Sequence, residues 1–238
     1  MSLLARHLLA SGRLKRSLPA AAIAAMLVAA PAPAGLAAEA QARTGVFGYF
    51  EFASPGLTAL PLWRDALARI RAGRAQIDRC DEDVSQCGST ALTVWRAKVA
   101  ELQTLSPLER LFEVNRFVNS FSPRSDQDAH NTADYWAAPL EFLERGGDAE
   151  DFAIMKFASL RDAGIDNQAM RIMIVYDALR QQRHAILAVS LEQGTFVLDT
   201  ITDAVQPAER VRYYVPYYSV NETTRWAHVV RPPQPADG

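Results

Sequence analysis

Residues 146–153 read Gly-Gly-Asp-Ala-Glu-Asp-Phe-Ala and begin a helical segment with almost no polar face. Asp148 is the expected N-cap, Asp151 falls at the third helical position, and Gly164 is the expected stop. A helix that is apolar on nearly every side is buried at the centre of a domain rather than lying on its surface. The sequence therefore predicts that this segment is the central helix, and its apolar positions are Phe152, Ile154, Met155, Phe157, Ala158 and Leu160.

The segments on either side of this helix differ in their periodicity. Apolar residues recur at helical spacing before it, and Ser106-Pro107-Leu108-Glu109 has the composition of a capping box. Strand patterns dominate after the helix. Before it, residues 121–136 read as a long polar surface loop. The sequence predicts an α+β domain over residues 45–230, with N-terminal helices packed on an antiparallel sheet. The expected strands are 46–52, 170–175, 184–191, 195–198 and 211–217.

The two ends of the chain are expected to lie outside this domain. Residues 1–38 combine a basic start with an uncharged apolar run from Leu18 to Ala30, which is too short to span a bilayer. Small residues follow, so we interpret residues 1–38 as a signal peptide cleaved after Ala38 or Ala40. Such a chain is exported and has no stable membrane insertion after cleavage. Residues 231–238 are expected to be a disordered tail.

The charge of the chain excludes some partners. The full sequence has 25 basic and 27 acidic side chains, a net charge of −2. Without residues 1–38, 21 basic side chains face the same 27 acidic ones, so the mature chain carries −6. This balance disfavours nucleic acid and anionic membrane surfaces as main partners. It fits calcium or a basic patch on another protein better.

Two cysteines, Cys80 and Cys87, lie in one polar segment. In an oxidising compartment, a close pair in a loop predicts a disulfide. A zinc site would need two more soft ligands nearby, and the segment has none. Neither cysteine begins a helix, so we expect a structural role for both.

Catalytic chemistry is suggested by the helix start together with His184 and Asp199 in the later strands. A nucleophile at the first turn of a helix is activated by the positive end of the helix dipole and by a nearby imidazole. Ala149 stands at that place and has no atom that can attack a carbonyl. A two-residue turn at 192–193 would put His184 and Asp199 on one face of the sheet, and a three-residue turn would put them on opposite faces. Asp203 is an alternative partner for the imidazole.

Three carboxylates, Asp148, Glu150 and Asp151, surround Ala149 beside a flexible Gly-Gly pair. They can be a helix cap favoured by the helix dipole. Hard oxygen ligands on a loop are also what a calcium ion requires. The sequence leaves both interpretations open.

At these residues the chain resembles the bacterial transglutaminase-like cysteine peptidases. The resemblance covers about residues 45–230, and the helix start matches the family's Gly-Gly-Asp-Cys-Glu-Asp-Tyr-Ala box except at Ala149 and Phe152. It is carried further by residues 47–52, 114–119, 134–143, 183–185, 197–199 and 219–226. The resemblance implies a papain/transglutaminase-like fold, export to the periplasm, and a Cys-His-Asp triad falling on Ala149, His184 and Asp199. It also implies calcium bound beside the nucleophile, at Asp148 and Glu150 and less clearly at Asp151.

Two functions are compatible with this resemblance. In the first, the chain is a pseudoenzyme that binds a polypeptide without cutting it, such as a large surface adhesin of a biofilm, another envelope protein or a membrane regulator. In the second, it is an active calcium-dependent cysteine endopeptidase of the adhesin-processing type, and Ala149 is not the native residue. Loss of a nucleophile lowers the rate by about 10⁶, so the identity of residue 149 separates the two.

Overall fold

The computed structural model describes residues 43–230 of the chain. The expected signal peptide at 1–38 and the expected tail at 231–238 lie outside the described residues. Within residues 43–230, no helix is both long enough and apolar enough to cross a bilayer.

Six α-helices precede most of the sheet in the described part of the chain. They are α1 (Pro61–Glu82), α2 (Thr90–Gln103), α3 (Pro107–Asn119), α4 (Asp126–His130), α5 (Pro139–Arg145) and α6 (Ala149–Asp162). The predicted capping box begins α3, where the Ser106 side chain accepts from the Glu109 amide and Glu109 accepts from the Ser106 amide. Because these signals are local, the sequence located this helix correctly.

All described strands belong to one antiparallel sheet in the order β1-β2-β8-β7-β3-β4-β5-β6. The N-terminal strands β1 and β2 lie beside the C-terminal strand β8, and the other strands follow α6 in the chain. The predicted α+β class with helices packed on an antiparallel sheet is confirmed. The strands are β1 (Arg43–Thr44), β2 (Phe50–Pro55), β3 (Met170–Asp177), β4 (Gln182–Leu191), β5 (Gly194–Leu198), β6 (Gln206–Pro207), β7 (Tyr214–Val220) and β8 (Thr224–Val229).

Helix α6 is the centre of the main core, as predicted. Every residue from Asp151 to Leu160 is buried, and the helix packs against α3, β3 and β4. The indole of Trp95 in α2 donates to the Ser159 hydroxyl at 2.8 Å, so these two polar groups inside the core are paired. Burial of each large apolar side chain contributes about 1.5–3 kcal/mol, and this packing fixes where α6 begins.

The opposite face of the sheet has a smaller second core. Alternate residues of β3 and β4, such as Val175 and Ile186, face it, and Val211 and Tyr214 pack over them. Successive side chains of a strand point to opposite faces. Residues on the α6 side, such as Ile174 and Ala185, therefore alternate with residues of the second core.

Several predicted segments differ from the structure, and one of them is the strand expected at 211–217, which runs from Tyr214 to Val220. The expected strand at 46–52 begins only at Phe50, because Phe47 and Gly48 have φ of 62° and 78°, which ends an extended chain and forms a 3₁₀ turn. The expected surface loop at 121–136 contains α4, and Asp126 and Trp136 within it are buried. Strand β8 was not predicted at all.

The predicted disulfide between Cys80 and Cys87 is confirmed. It joins the last turn of α1 to the 3₁₀ turn that follows, and both cysteines are buried in the main core. No free cysteine occurs in the described residues. The pair is therefore structural.

Candidate functional site

Ala149 is the first residue of α6, and Asp148 is its N-cap. The approach to the helix is fixed by tight packing: a Cβ added to Gly147 would overlap the Asp151 side chain, and the Gly147 carbonyl accepts from the Arg124 amide at 2.8 Å. The Asp148 amide donates to Asp151 at 3.2 Å. The side chain of residue 149 thus stands half-buried at the positive end of the central helix.

His184 and Asp199 form a buried pair on neighbouring strands. Leu191 pairs with Gly194, so the hairpin has the two-residue turn at 192–193 that puts both residues on one face. His184 Nε2 lies 2.7 Å from Asp199 Oδ1. Asp203, the alternative partner, instead accepts from Asn119 at 3.0 Å.

Two other elements hold Asp199. The Tyr214 hydroxyl on β7 donates to its second oxygen, and the Asn119 amide at the end of α3 donates to its backbone carbonyl at 2.9 Å. Burial opposes ionisation of this carboxyl, but the hydrogen bonds from His184 and Tyr214 and the imidazole charge outweigh it. The pKa of Asp199 therefore lies below its ordinary value. Sequence reasoning missed both Tyr214 and Asn119.

Tyr218 on β7 lies within electrostatic range of one sequence neighbour of His184 and one of Ala149. Burial raises the pKa of Tyr218, the charge of Arg183 lowers it and the charge of Glu150 raises it, so the sequence neighbours of both site residues act on one hydroxyl. Strand alternation puts His184 on the side of the second core, while α6 lies on the other side. His184 is the third residue of β4, so its ring would reach position 149 around the end of the sheet. That contact stays a prediction.

A group of three carboxylates lies beside the helix start. Asp126, Asp148 and Asp151 offer oxygens within 4.8 Å of one another. Among the described residues, nothing donates to Oδ1 of Asp126 or of Asp148, although both atoms are buried. Burial, reinforced by neighbouring carboxylates, raises the pKa of Asp148 to about 9, and burial raises that of Asp151 to about 7.

These carboxylates have the character of a cation site. Asp126 and Asp151 are buried and Asp148 is half-buried, so ionisation of all three requires a compensating charge, and the two oxygens without donors are free for a metal. Glu150, one of the three expected ligands, does not join this group, and Asp126 from α4 does. Asp126 lies more than 20 residues before the helix start, and no spacing in the sequence connects it with Asp148.

Lys156 is a second residue that sequence reasoning missed. It lies two turns into α6 with 1% of its surface exposed. Burial lowers its pKa to about 7, although the charges of Asp199 and Asp203 act in the opposite direction. The sequence feature that could have identified it is a single lysine inside an otherwise apolar helical segment.

A cavity of about 760 Å³ opens on the face of the sheet opposite α6. Its walls include Phe47, Arg171 and Tyr214, and it does not include Ala149 or His184. The Arg171 guanidinium pairs with Glu51 at 2.5 Å and lies 4.0 Å from the centre of the Trp226 ring. Tyr214 is the residue that this cavity shares with the His184–Asp199 pair.

Comparison with known families and structures gives a consistent result. The model of the family described as bacterial transglutaminase-like cysteine proteinases matches residues 70–233. No curated protein matches the chain.

Three solved structures of LapG from Legionella pneumophila are similar to this chain. One is 26% identical, with a TM-score of 0.56, and the match covers 64% of this chain and 87% of LapG. The calcium-bound form is 27% identical, with a TM-score of 0.54 and coverage of 62% and 84%. The EGTA-treated form is also 27% identical, with a TM-score of 0.53 and coverage of 61% and 82%.

Proposed function

The chain belongs to the bacterial transglutaminase-like cysteine proteinases, and from this premise we propose that it is a periplasmic member that binds a polypeptide without cutting it. The observation that carries the proposal is Ala149 at the first position of α6, in a chain that keeps an intact His184–Asp199 pair. Alanine cannot form an acyl-enzyme, and residues 148–152 contain no serine or threonine to replace the thiol. Members of a peptidase family act on polypeptides, so the retained site is a polypeptide site.

An exposed row of side chains on the α6 side of the sheet supports this proposal. Phe52 pairs with Ala227, and Ala227 pairs with Tyr218, so these side chains form one row on the α6 side. Phe52 is 37% exposed and Ala227 is exposed as well, while Tyr218 is half-buried. An extended polypeptide lying on this row would reach residue 149 through Tyr218. The acidic Glu150 beside it favours an uncharged or basic segment.

Calcium is the second part of the proposal. Asp126, Asp148 and Asp151 would hold the ion, because Oδ1 of Asp126 and Oδ1 of Asp148 have no donor among the described residues and burial raises the pKa of all three carboxyl groups. The bound ion would supply positive charge that keeps these acids ionised and fixes the loop before α6. The calcium-bound and EGTA-treated structures of LapG support a calcium site in this chain as well.

The partner we propose is a large surface adhesin of a biofilm or another envelope protein, with a membrane regulator as an alternative. Site-specific photo-crosslinking tests it. A photoreactive phenylalanine analogue at Phe52 should capture one defined envelope polypeptide in living cells. The same analogue at Leu179, which is 68% exposed in the turn between β3 and β4, is the matched control. Equal capture at both positions, or none at either, would contradict a specific polypeptide site.

Restoring the thiol tests whether the site is a triad. If helix and imidazole lower the pKa of the thiol in Ala149→Cys by two units from about 8.5, the thiolate fraction at pH 6.5 rises about 50-fold. The intrinsic nucleophilicity falls about 8-fold, so alkylation by iodoacetamide in the presence of calcium should be about 6-fold faster than for a free thiol. Adding His184→Ala should remove this excess. Equal rates with and without His184 would show that the imidazole does not face residue 149.

The second candidate function is an active calcium-dependent cysteine endopeptidase, in which the native residue 149 is cysteine. The retention of the buried His184–Asp199 pair favours it. Sequencing codon 149 of the gene decides between the two: an alanine codon supports the binding protein, and a cysteine codon supports the endopeptidase.

A further inference from the structure

The carboxylate of Asp199 is held at both oxygens by side chains from two different strands. Oδ1 lies 2.7 Å from His184 Nε2 on β4 and accepts from the Ile201 amide at 3.0 Å. The Tyr214 hydroxyl on β7 donates to Oδ2 at 2.5 Å. His184, Asp199 and Tyr214 are all buried. Water therefore competes poorly for these bonds, and the geometry of the pair is decided by the protein.

We infer that Tyr214 is a positioning residue for the His184–Asp199 pair: its hydroxyl fixes the plane of the carboxylate so that Oδ1 stays directed at Nε2. The terminal torsion of an aspartate is soft, and one hydrogen-bonded oxygen leaves the group free to turn. A donor on the second oxygen removes that freedom. The inference rests on the proposed function, in which this pair serves the polypeptide site at residue 149.

The orientation of the imidazole follows from that of the carboxylate. When Nε2 is bonded to Asp199, Nδ1 is the nitrogen left to meet a thiol or a bound polypeptide. An aspartate that turns would release Nε2 and let the ring rotate or change tautomer. Loss of the correct tautomer is a known way to disable a triad whose other groups are intact.

Packing alone does not account for the Tyr214 hydroxyl. The ring packs in the second core, 4.6 Å from the Tyr213 ring and 6.3 Å from the Phe47 ring between centroids. A phenylalanine would make the same ring contacts. The hydroxyl makes one hydrogen bond, to Asp199, and this bond together with burial raises the pKa of Tyr214. Tyr214→Phe therefore removes the anchor and keeps the packing.

The first test uses the chain with its native Ala149. Proton NMR of ¹⁵N-histidine-labelled protein follows exchange of the His184 Nε2 proton with solvent. We expect Tyr214→Phe to speed this exchange at least 10-fold. Tyr213→Phe is the matched control, because it alters the adjacent ring of the same cluster and should leave the exchange unchanged. Unchanged exchange in Tyr214→Phe would overturn the inference.

The second test separates this inference from the site assignment. In Ala149→Cys, adding Tyr214→Phe should move the pH midpoint of iodoacetamide alkylation at least half a unit toward that of a free thiol. A thiol that is activated with Tyr214 and equally activated without it overturns the role of Tyr214 and leaves the site assignment intact. A thiol that is not activated with Tyr214 present contradicts the site assignment itself.

A third variant tests the inference if Tyr214→Phe does not fold. Site-specific 3-fluorotyrosine at position 214 keeps the ring and makes its hydroxyl a stronger donor. The His184 Nε2 proton should then exchange more slowly than in the parent chain. Exchange that is equal or faster in this variant overturns the inference.

Discussion

Replacing Lys156 by methionine should stabilise the protein at neutral and acidic pH. The side chain is 1% exposed on the central helix. Burial lowers its pKa from 10.5 to about 7, against the charges of Asp199 and Asp203. Lys156→Met leaves an unbranched apolar side chain that is one atom shorter and removes the charge.

The magnitude follows from the pKa difference between the folded and unfolded chain. A fall from 10.5 to about 7 corresponds to roughly 5 kcal/mol at 1.36 kcal/mol per unit. Between these two pH values the unfolded chain binds the proton and the folded chain does not. The free energy of unfolding therefore rises with pH by up to about 1.4 kcal/mol per unit in this window. Below pH 7 both states are protonated, and the folded state carries the full penalty for the buried charge.

Urea unfolding followed by tryptophan fluorescence at about pH 6, 7.5 and 9 measures this effect. Lys156→Met should be more stable than the parent by up to about 5 kcal/mol at pH 6, and the difference should shrink by pH 9. Lys98→Met is the matched control, because Lys98 forms an ion pair with Glu101 at the surface. A stability difference for Lys156→Met that does not change with pH would refute the reasoning.

Three other changes have defined outcomes. Calcium at 100 times its Kd should stabilise the fold by about 2.7 kcal/mol in thermal unfolding, and Asp126→Asn should reduce that gain; an unreduced gain would place the ion elsewhere. Replacing Cys80 and Cys87 together by alanine should lower the free energy of unfolding in urea by about 2.4 kcal/mol, because the closed loop is short; no loss would indicate a denatured state that is already compact. In Gly45→Ala the new Cβ would overlap the Glu51 carboxyl group, so we expect a loss of about 1–3 kcal/mol in the same assay. A stability equal to that of the parent would show that the turn can move.

The elements that the sequence predicted are those determined by local signals. The Ser106 capping box and the Asp148 cap determine where α3 and α6 begin, and the two-residue turn sets the register that brings His184 to Asp199. These signals act over three to seven residues. They were sufficient for the fold class and for the disulfide. For the His184–Asp199 pair they left two registers open, and the structure has the one that joins these residues.

The elements that the sequence missed depend on contacts between distant segments. Helix α4 lies in a polar stretch of the sequence. Asp126 within it is buried, accepts from the Tyr135 amide at 2.7 Å and has an oxygen within 4.8 Å of Asp148. Tyr214 meets Asp199 only because β7 crosses back to β3 in the sheet. Neither contact has a fixed spacing in the chain, so no motif reveals it.

The pairing of β2 with β8 has a consequence for how the chain folds. Phe50 pairs with Val229, so the hydrogen bonds between β2 and β8 can form only after the last strand has been synthesised and has reached β2. Closing so long a loop is entropically unfavourable before the contacts form, and topologies with such distant pairings fold slowly. Until β8 pairs with it, the edge of β2 that faces β8 is unpaired, and an unpaired strand edge is a template for aggregation. We therefore expect β2 to take part in the slowest step of folding and to be the surface of the nascent chain that is most prone to aggregation.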